Sequence, residues 1–275
     1  MSGSFEVRFR GVRGSIACPG LATAGYGGNT ACIELRCGDR LIVIDAGTGL
    51  RELGAALAGE APLDADILLS HTHLDHVVGL PFFAPLFDAR NRIALRAGHL
   101  AGCGGLRPVL ERMLSPELFP VPLEAFAAEV RCIDFRAGED FALAGGVHVR
   151  TAPLDHPGGA TGYRVEFESR SVCYVCDTGH KPGAPNRDIL GLIEGADVVI
   201  YDAMFTEEEF ARHPHWGHST WTEGARLCEA AGAGKLVLFH HDPRRDDEAM
   251  DRLAAEAAER RPGTQAAREG MVLSL

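Results

Sequence analysis

The chain has 275 residues, enough to bury a full core as one large domain or as two small ones. With 46% hydrophobic and 24% charged residues, its composition is ordinary for a soluble globular protein. The net charge of −11 argues against a large non-specific nucleic-acid footprint, which needs many Lys and Arg side chains on phosphates. A small anionic substrate stays open, because metal ions can supply local positive charge.

Targeting and redox features point to the cytoplasm. The first residues contain no basic segment followed by an apolar one, and no run of 18 apolar residues occurs, so we expect neither a signal peptide nor a membrane span. Of the eight cysteines, only Cys173 and Cys176 are spaced as CxxC, inside an apolar strand where positions three apart face opposite sides. We therefore expect buried, reduced thiols in a cytoplasmic protein.

The hydrophobic pattern predicts strands and helices along the whole chain. In chain order, we predict strands at 5–12, 31–35, 41–45, 65–69, 91–96, 130–135, 147–150, 161–167, 171–176, 196–201 and 236–239. Helices are predicted at 50–57, 106–113, 220–231 and 247–260, the third capped by Ser219 or Thr220. No linker of disordered composition separates the halves, so a single domain over residues 1–275 is predicted.

The segment after strand 65–69 carries three imidazoles and a carboxylate within six residues. Because side chains alternate along a strand, a strand that ends in His-x-His directs His71 and His73 to the same side. Asp75 and His76 follow on the next turn and can approach the same point from a second direction. Neutral imidazole and carboxylate suit zinc, and also manganese or iron. The cluster therefore predicts a metal site.

The motif His71-Thr72-His73-Leu74-Asp75-His76 resembles the signature of the metallo-β-lactamase superfamily. Members of that superfamily are αββα hydrolases with one or two metal ions. The resemblance implies an α/β chain with the four-layer αββα metallo-β-lactamase fold and two metal sites that share a bridging water. It also requires a His, an Asp and a His further along the chain, in that order.

Three residues at the ends of apolar strands fill these positions. They are His156, Asp177 and His240. His241 is the alternative to His240, and the alignment with the end of the family's strand favours His240. By the match with the superfamily, Asp177 would bridge two divalent metals whose other ligands are His71, His73 and His156 for one and Asp75, His76 and His240 for the other.

Three later segments are similar to those of the phosphodiesterase branch, the tRNA 3′-end processing endonucleases (RNase Z) and their relatives. The segments are Tyr201-Asp202-Ala203-Met204-Phe205, Gly217-His218-Ser219-Thr220 and Leu238-Phe239-His240-His241-Asp242-Pro243. In that branch, the histidine of the H-S-T segment lies beside the metals with an acidic residue from the earlier segment. Here those residues are His218 and Asp202. The family usually has Glu within His-Glu-Ala-Thr, so Asp202 is a departure.

The spacing of the ligands bears on the substrate. RNase Z enzymes insert a long tRNA-binding arm between the ligand His and the bridging Asp, whereas the interval from His156 to Asp177 is 21 residues and is mostly taken up by two strands. Together with the acidic net charge, this predicts that tRNA is not a substrate. The short interval resembles that of the phosphonate-pathway cyclic-phosphate phosphodiesterases. We therefore expect a small phosphodiester as substrate, a cyclic nucleotide or a cyclic phosphate.

The resemblance also suggests a division of catalytic work. Asp75 would orient the attacking water, His218 would donate a proton to the leaving alkoxide and Asp202 would hold His218 in orientation.

Alternatives are another hydrolase of this fold, acting on a thioester or a lactam, and a non-catalytic metal- or nucleotide-binding protein. The β-lactamase and glyoxalase branches lack the H-S-T segment, which ranks them lower. No membrane partner is expected, and a homodimer is compatible with the sequence, which leaves the oligomeric state open.

Overall fold

The computed structural model describes residues 3–275, which form two sheets and a set of helices. The strands are β1 Phe5–Gly11, β2 Cys32–Cys37, β3 Arg40–Ile44, β4 Asp64–Leu69, β5 Arg92–Ala97, β6 Glu129–Asp134, β7 Phe141–Leu143, β8 Val147–Leu154, β9 Ala160–Phe167, β10 Arg170–Val175, β11 Val198–Asp202, β12 Lys235–Phe239, β13 Gln265–Ala266 and β14 Val272–Ser274. The α-helices are α1 Gly49–Ala56, α2 Leu74–Val77, α3 Leu106–Met113, α4 Arg187–Ile193, α5 Glu207–Arg212, α6 Trp221–Ala230 and α7 Asp247–Arg260.

Each half of the chain supplies one seven-stranded sheet, apart from β14. The first sheet has the order β14-β1-β2-β3-β4-β5-β6 and the second the order β13-β12-β11-β10-β9-β8-β7. Strands β3 to β6 are parallel, as are β10 to β13. Strand β8 is antiparallel to β9, which is antiparallel to β10, so β8 runs in the same direction as β10, β11 and β12.

Three apolar clusters give the molecule its layers. The central cluster joins the inner faces of the sheets, with Phe9 from one and Tyr174 and Phe239 from the other fully buried. A second cluster packs α4, α6 and α7 on the outer face of the second sheet, and a third packs α1 and α3 on the outer face of the first. This is the predicted four-layer αββα arrangement, in which each sheet is buried on both faces.

The predicted elements are confirmed with small shifts in their bounds. The helices at 106–113 and 247–260 have their predicted bounds, and Thr220 rather than Ser219 caps α6. Strand β8 extends to Leu154, four residues beyond its prediction.

Cys173 and Cys176 are buried free thiols that face different apolar clusters. The single-domain assignment stays a prediction. Within residues 3–275, the helices lack the length and apolar composition that a membrane crossing needs.

Candidate metal centre

The predicted ligands lie together at one edge of the two sheets. His71 and His73 follow β4, His156 follows β8, Asp177 follows β10 and His240 follows β12. Strands β8, β10 and β12 point in one direction, so their carboxyl ends meet at the same edge. That edge is where open α/β sheets place their ligands. His73 and His156, which are 83 residues apart in the sequence, are brought together in this way.

One group of side chains consists of His71, His73 and His156. Nδ1 of His73 lies 3.0 Å from Nε2 of His71 and 3.0 Å from Nε2 of His156. Nδ1 of His156 donates to the carbonyl oxygen of Gly217 over 2.8 Å. Because a carbonyl only accepts, the hydrogen of this imidazole is on Nδ1 and its Nε2 presents a lone pair to the group. These three residues have the spacing of a group that could hold a metal ion.

A second group consists of Asp75, His76 and His240. Nε2 of His76 and Nε2 of His240 lie 3.2 Å apart, and each lies 3.3 Å from Oδ2 of Asp75. These three residues are buried and have the spacing of a second group that could hold a metal. His241 faces elsewhere, because its Nε2 donates to the carbonyl of Ala267 over 2.8 Å. The geometry therefore puts His240, and not His241, in the cluster.

Asp177 lies between the two groups. Its Oδ1 is 3.9 Å from Nε2 of His71 and 3.7 Å from Nε2 of His156. Its Oδ2 is 3.1 Å from Nε2 of His76 and 3.2 Å from Nε2 of His240. One carboxylate oxygen therefore faces each group, which is the placement that a bridging ligand requires.

The donor set fits divalent cations. Burial opposes a charge on His76, but the carboxylates of Asp177, Asp75 and Asp45 outweigh it and hold the pKa of this imidazole well above its usual value. Carboxylates that stabilise a positive charge on a fully buried imidazole would also stabilise a bound cation. Burial and the neighbouring His76 lower the pKa of His71 well below the ordinary value, so His71 is neutral, as a metal ligand must be.

His218 lies beside the cluster and is held by Asp202. Its Nδ1 is 3.1 Å from Oδ2 of Asp202 and 3.6 Å from Oδ1 of Asp177. Asp202 is fully buried and also accepts the backbone N–H of Met204 over 3.0 Å. Burial lowers the pKa of His218, but Asp202 and then Asp177 raise it to about 9 overall. The pair that the sequence resemblance singled out is thus in contact in the structure.

Three residues at the site were missed by sequence reasoning. Asp45, directly after β3, accepts from Nδ1 of His76 over 2.7 Å. The backbone N–H of Ser15 donates to Oδ2 of Asp75 over 2.7 Å, and the thiol of Cys176 donates to Oδ2 of Asp177 over 3.0 Å. The signal for Asp45 was present, since a carboxylate directly after an apolar strand is the pattern that identified Asp177. The other two contacts depend on how loops meet, which the sequence does not encode locally.

Backbone strain is concentrated at the site. Asp45, Asp177 and His240 have φ values of 60°, 57° and 59°, in the left-handed region that non-glycine residues seldom adopt. Asp45 and His240 follow directly on a core strand, and Asp177 lies two residues beyond the end of β10. Strained backbone of this kind persists where the surrounding structure over-determines it, and it is common at functional sites.

Two cavities open beside the cluster. One of about 630 Å³ is lined by His156, His180 and Phe210 among others. The second, of about 320 Å³, is lined by His218 and Trp216 among others. A ligand at the metal groups can therefore extend to either side.

Comparison with known proteins matches the chain to a family. The model of the beta-lactamase superfamily domain matches residues 40–241. Ribonuclease Z from Bradyrhizobium sp. (strain ORS 278) is 29% identical over an alignment of 305 positions, gaps included, which covers 96% of this chain and 97% of that protein. Ribonuclease Z from Porphyromonas gingivalis (strain ATCC 33277) is 26% identical over 299 residues, which cover 93% and 95%.

Solved structures share the fold at low sequence identity. The metallo-beta-lactamase fold protein YhfI from Bacillus subtilis superimposes with a TM-score of 0.75 at 20% identity, covering 99% of this chain and 100% of that one. A diphosphatase from the PhnP family gives 0.72 at 21% identity, covering 98% of both chains. Human tRNase Z, short form, gives 0.67 at 18% identity and also covers 98% of both chains.

The prediction that tRNA is not a substrate is wrong as a conclusion from sequence. Relatives that align along almost the whole chain are ribonuclease Z enzymes, and human tRNase Z has the same fold. Net charge is a sum over the whole chain and does not describe the surface beside the site. The length of one interval between ligands likewise does not measure that surface.

Proposed function

The chain belongs to the beta-lactamase superfamily, and on this premise we propose that its metal centre hydrolyses a small phosphodiester, a cyclic nucleotide or a cyclic phosphate. Metal-dependent hydrolysis of a phosphodiester is the coarser activity and is supported by relatives named ribonuclease Z. The observation that carries the proposal is the position of Asp177, with one oxygen facing each group of ligands. Such a pair of groups suits two cations, which would stabilise the attacking and the leaving oxygen of a displacement at phosphorus.

The proposed ligand sets follow the two groups. Asp177 would be shared, and the remaining ligands would be His71, His73 and His156 for one ion and Asp75, His76 and His240 for the other. Zinc is the first candidate for both, with manganese or iron as alternatives, because the donors are imidazole and carboxylate. When bound, the ions would supply Lewis acidity toward the phosphoryl oxygens and activate water.

The side chains of the site divide the remaining work. Oδ2 of Asp75 is engaged by Ser15, while its Oδ1 accepts no hydrogen bond from residues 3–275 and is available to orient the attacking water. As the water oxygen bonds to phosphorus, the bond to the leaving oxygen breaks. His218 would protonate that oxygen from Nε2, because its Nδ1 is bonded to Asp202. Asp202 is the positioning residue in this scheme.

The location of the protein forms a separate part of the proposal. All eight cysteines are free, and five of them are buried. Free thiols are typical of reducing compartments, so we place the protein in the cytoplasm.

A substrate screen tests the proposed function. Protein of measured metal content is assayed with 2′,3′-cyclic nucleotides, a cyclic sugar phosphate, a precursor tRNA, a thioester and a lactam. We expect turnover of the cyclic diesters that disappears with a chelator and returns with zinc or manganese. Turnover of the thioester or lactam alone would refute phosphodiester hydrolysis, and turnover of the precursor tRNA alone would refute the small substrate.

A further inference from the structure

A large cavity beside His156 is not used by the proposed chemistry. It has a volume of about 630 Å³, within the range of small-molecule sites, and we call it the His180 cavity after the ring at its wall. His156 lines it directly, so a substituent on a phosphate held at the metal groups can enter it. Gly217, which accepts the hydrogen bond from His156, lines the same cavity.

His180 is a rigid planar surface in this cavity. Its ring stacks on Phe210 with 4.0 Å between centroids and 10° between planes. Its Nδ1 is fixed by Ser219 Oγ at 2.8 Å, and Ser219 Oγ also contacts the hydroxyl of Tyr201 over 3.0 Å. Within residues 3–275, no second aromatic ring stacks on His180. The imidazole is therefore backed on one face by a buried phenyl ring, and it is half-buried where it lines the cavity.

The rest of the cavity combines apolar walls with both kinds of hydrogen-bonding group. Rings of Pro157, Pro182 and Pro214 contribute rigid apolar surface. The ammonium group of Lys181 offers donors, and Nε2 of His180 makes no hydrogen bond with residues 3–275. The carboxylates of Asp155 and Glu207 offer acceptors. A planar ligand that carries both donors and acceptors matches this set better than a simple sugar or an alkyl chain.

We propose that the His180 cavity binds the nucleoside of the substrate, with its base stacked on His180 and its phosphate at the metal groups. This inference rests on the proposed phosphodiester hydrolysis and narrows its substrate class to nucleotide diesters. Stacking of a base on an aromatic side chain tolerates any base, so the cavity recognises a nucleoside without reading its identity.

The test compares two diesters that share one leaving group. Thymidine 5′-p-nitrophenyl phosphate and methyl p-nitrophenyl phosphate both release p-nitrophenolate, and only the first carries a nucleoside. For the metal-loaded protein we expect kcat/KM to be higher for the thymidine ester by roughly 5- to 150-fold, the usual effect of one stacked base. In His180→Ala the ratio of the two kcat/KM values should fall to about one. His180→Phe, which keeps a planar ring, should retain most of the preference for the thymidine ester.

The ratio separates binding of the nucleoside from damage to the catalytic groups. Loss of the contact from His180 to Ser219 can disturb the neighbouring His218, but p-nitrophenolate departs without a proton. Any effect of His218 is therefore small and equal for the two esters, and it cancels in the ratio. His148→Ala is the matched control, because His148 is an exposed histidine near the start of β8 whose side chain pairs, among residues 3–275, with Glu166 alone. This variant should have the ratio of the wild type.

The possible failures are distinguishable. If neither ester is cleaved by metal-loaded protein, the proposed function fails. If both are cleaved at equal kcat/KM by the wild type, or if His180→Ala leaves the ratio unchanged, the nucleoside cavity is refuted while phosphodiester hydrolysis stands. The comparison of the two esters with the wild type needs no variant, so it tests the nucleoside cavity even if His180→Ala does not fold.

The nucleoside could belong to a mononucleotide or to the end of an RNA. Wild type and His180→Ala are therefore compared on adenosine 2′,3′-cyclic phosphate and on a precursor tRNA. A loss confined to the cyclic nucleotide assigns the cavity to small nucleotides, and a loss confined to the precursor assigns it to an RNA nucleoside. No loss on either substrate contradicts the inference.

Discussion

Asp45 and His76 form a fully buried pair in which Oδ2 of the carboxylate lies 2.7 Å from Nδ1 of the imidazole. The same carboxylate accepts from the backbone N–H and the hydroxyl of Ser70 and from the hydroxyl of Tyr174, each over 2.7 Å. With Nδ1 engaged, Nε2 of His76 is turned to Asp177. A carboxylate that orients a metal-binding imidazole in this way raises its affinity for the metal.

Asp45→Asn should weaken metal binding without removing a ligand. The amide keeps the volume of the side chain but removes its negative charge, so His76 loses its strongest acceptor. We expect the affinity of the metal site that contains His76 to fall by about 10- to 100-fold, measured by competition with a chromogenic chelator. Tyr174→Phe is the control, because it removes another hydrogen bond from the same carboxylate. It should cost about 1.5–3 kcal/mol of unfolding free energy and leave metal affinity intact. Equal affinities in the wild type and Asp45→Asn would contradict this role.

Asp177→Ala should remove both metals. Each oxygen of this carboxylate faces one ligand group, so its loss deprives both. Asp75→Ala should remove one metal only, because Asp75 contacts just one of the two ligand groups, that of His76 and His240. Metal content per chain is measured by mass spectrometry after desalting. It should be near two in the wild type, near one in Asp75→Ala and near zero in Asp177→Ala. Full occupancy in Asp177→Ala would overturn the bridging assignment.

Gly217→Ala should displace His156. A Cβ at Gly217 would lie 2.3 Å from Cδ of Pro157 and 2.4 Å from Nδ1 of His156, and φ at this position is +76°. The added methyl group therefore moves the imidazole away from its group, and metal content should fall along with activity. Gly146→Ala is matched in backbone strain, with φ of +78°, but its Cβ would meet nothing within 4 Å. Both variants should lose about 1–2 kcal/mol of stability, and only Gly217→Ala should lose metal. Equal metal content in the two would refute the steric argument.

His218→Ala should lower kcat while metal content is retained. Loss of a general acid costs roughly 10²–10⁴-fold in rate when the leaving group is a poor one. The loss should be large for a cyclic nucleotide, whose leaving group is an alkoxide, and small for methyl p-nitrophenyl phosphate, whose leaving group departs without a proton. Asp202→Asn should show the same pattern to a lesser degree, because Asp202 only orients His218. Equal losses on both substrates would rule out the acid role.

Asp197→Asn should reduce stability at neutral pH more than at acid pH. Asp197 accepts from Arg170 and from the backbone N–H of Ser171, each over 2.8 Å, and these contacts outweigh burial and lower its pKa. The stabilisation is thus present above about pH 3.9, the unfolded value, and is lost as pH falls through the lower folded value. We expect a deficit of about 1 kcal/mol at pH 7 that narrows by pH 3.5, measured by urea unfolding in EDTA. Asp39→Asn, in an exposed turn, should show no deficit at either pH. A deficit for Asp197→Asn that does not change with pH would contradict the ion-pair assignment.

Local patterns were sufficient to predict most of the elements that carry the site. The apolar run at 65–69 and the motif from His71 to His76 are contiguous, so periodicity and ligand chemistry act on the same few residues. The short edge strands β7, β13 and β14 and the helices α2, α4 and α5 were not predicted. A strand of two or three residues has too little pattern to detect and depends on pairing with a neighbour, as β14 does with β1.

The sequence by itself determined the chemistry of the site: which residue types are present, and that His156, Asp177 and His240 each end an apolar strand. The tertiary structure alone decided how these groups face one another. Parallel strands of two packed sheets bring their carboxyl ends together, so the carboxylate of Asp177 falls between imidazoles that are far apart in the chain. Asp45 became part of the site for the same reason. Its contact with His76 is made across the edge of a sheet, and no local pattern fixes such a distance.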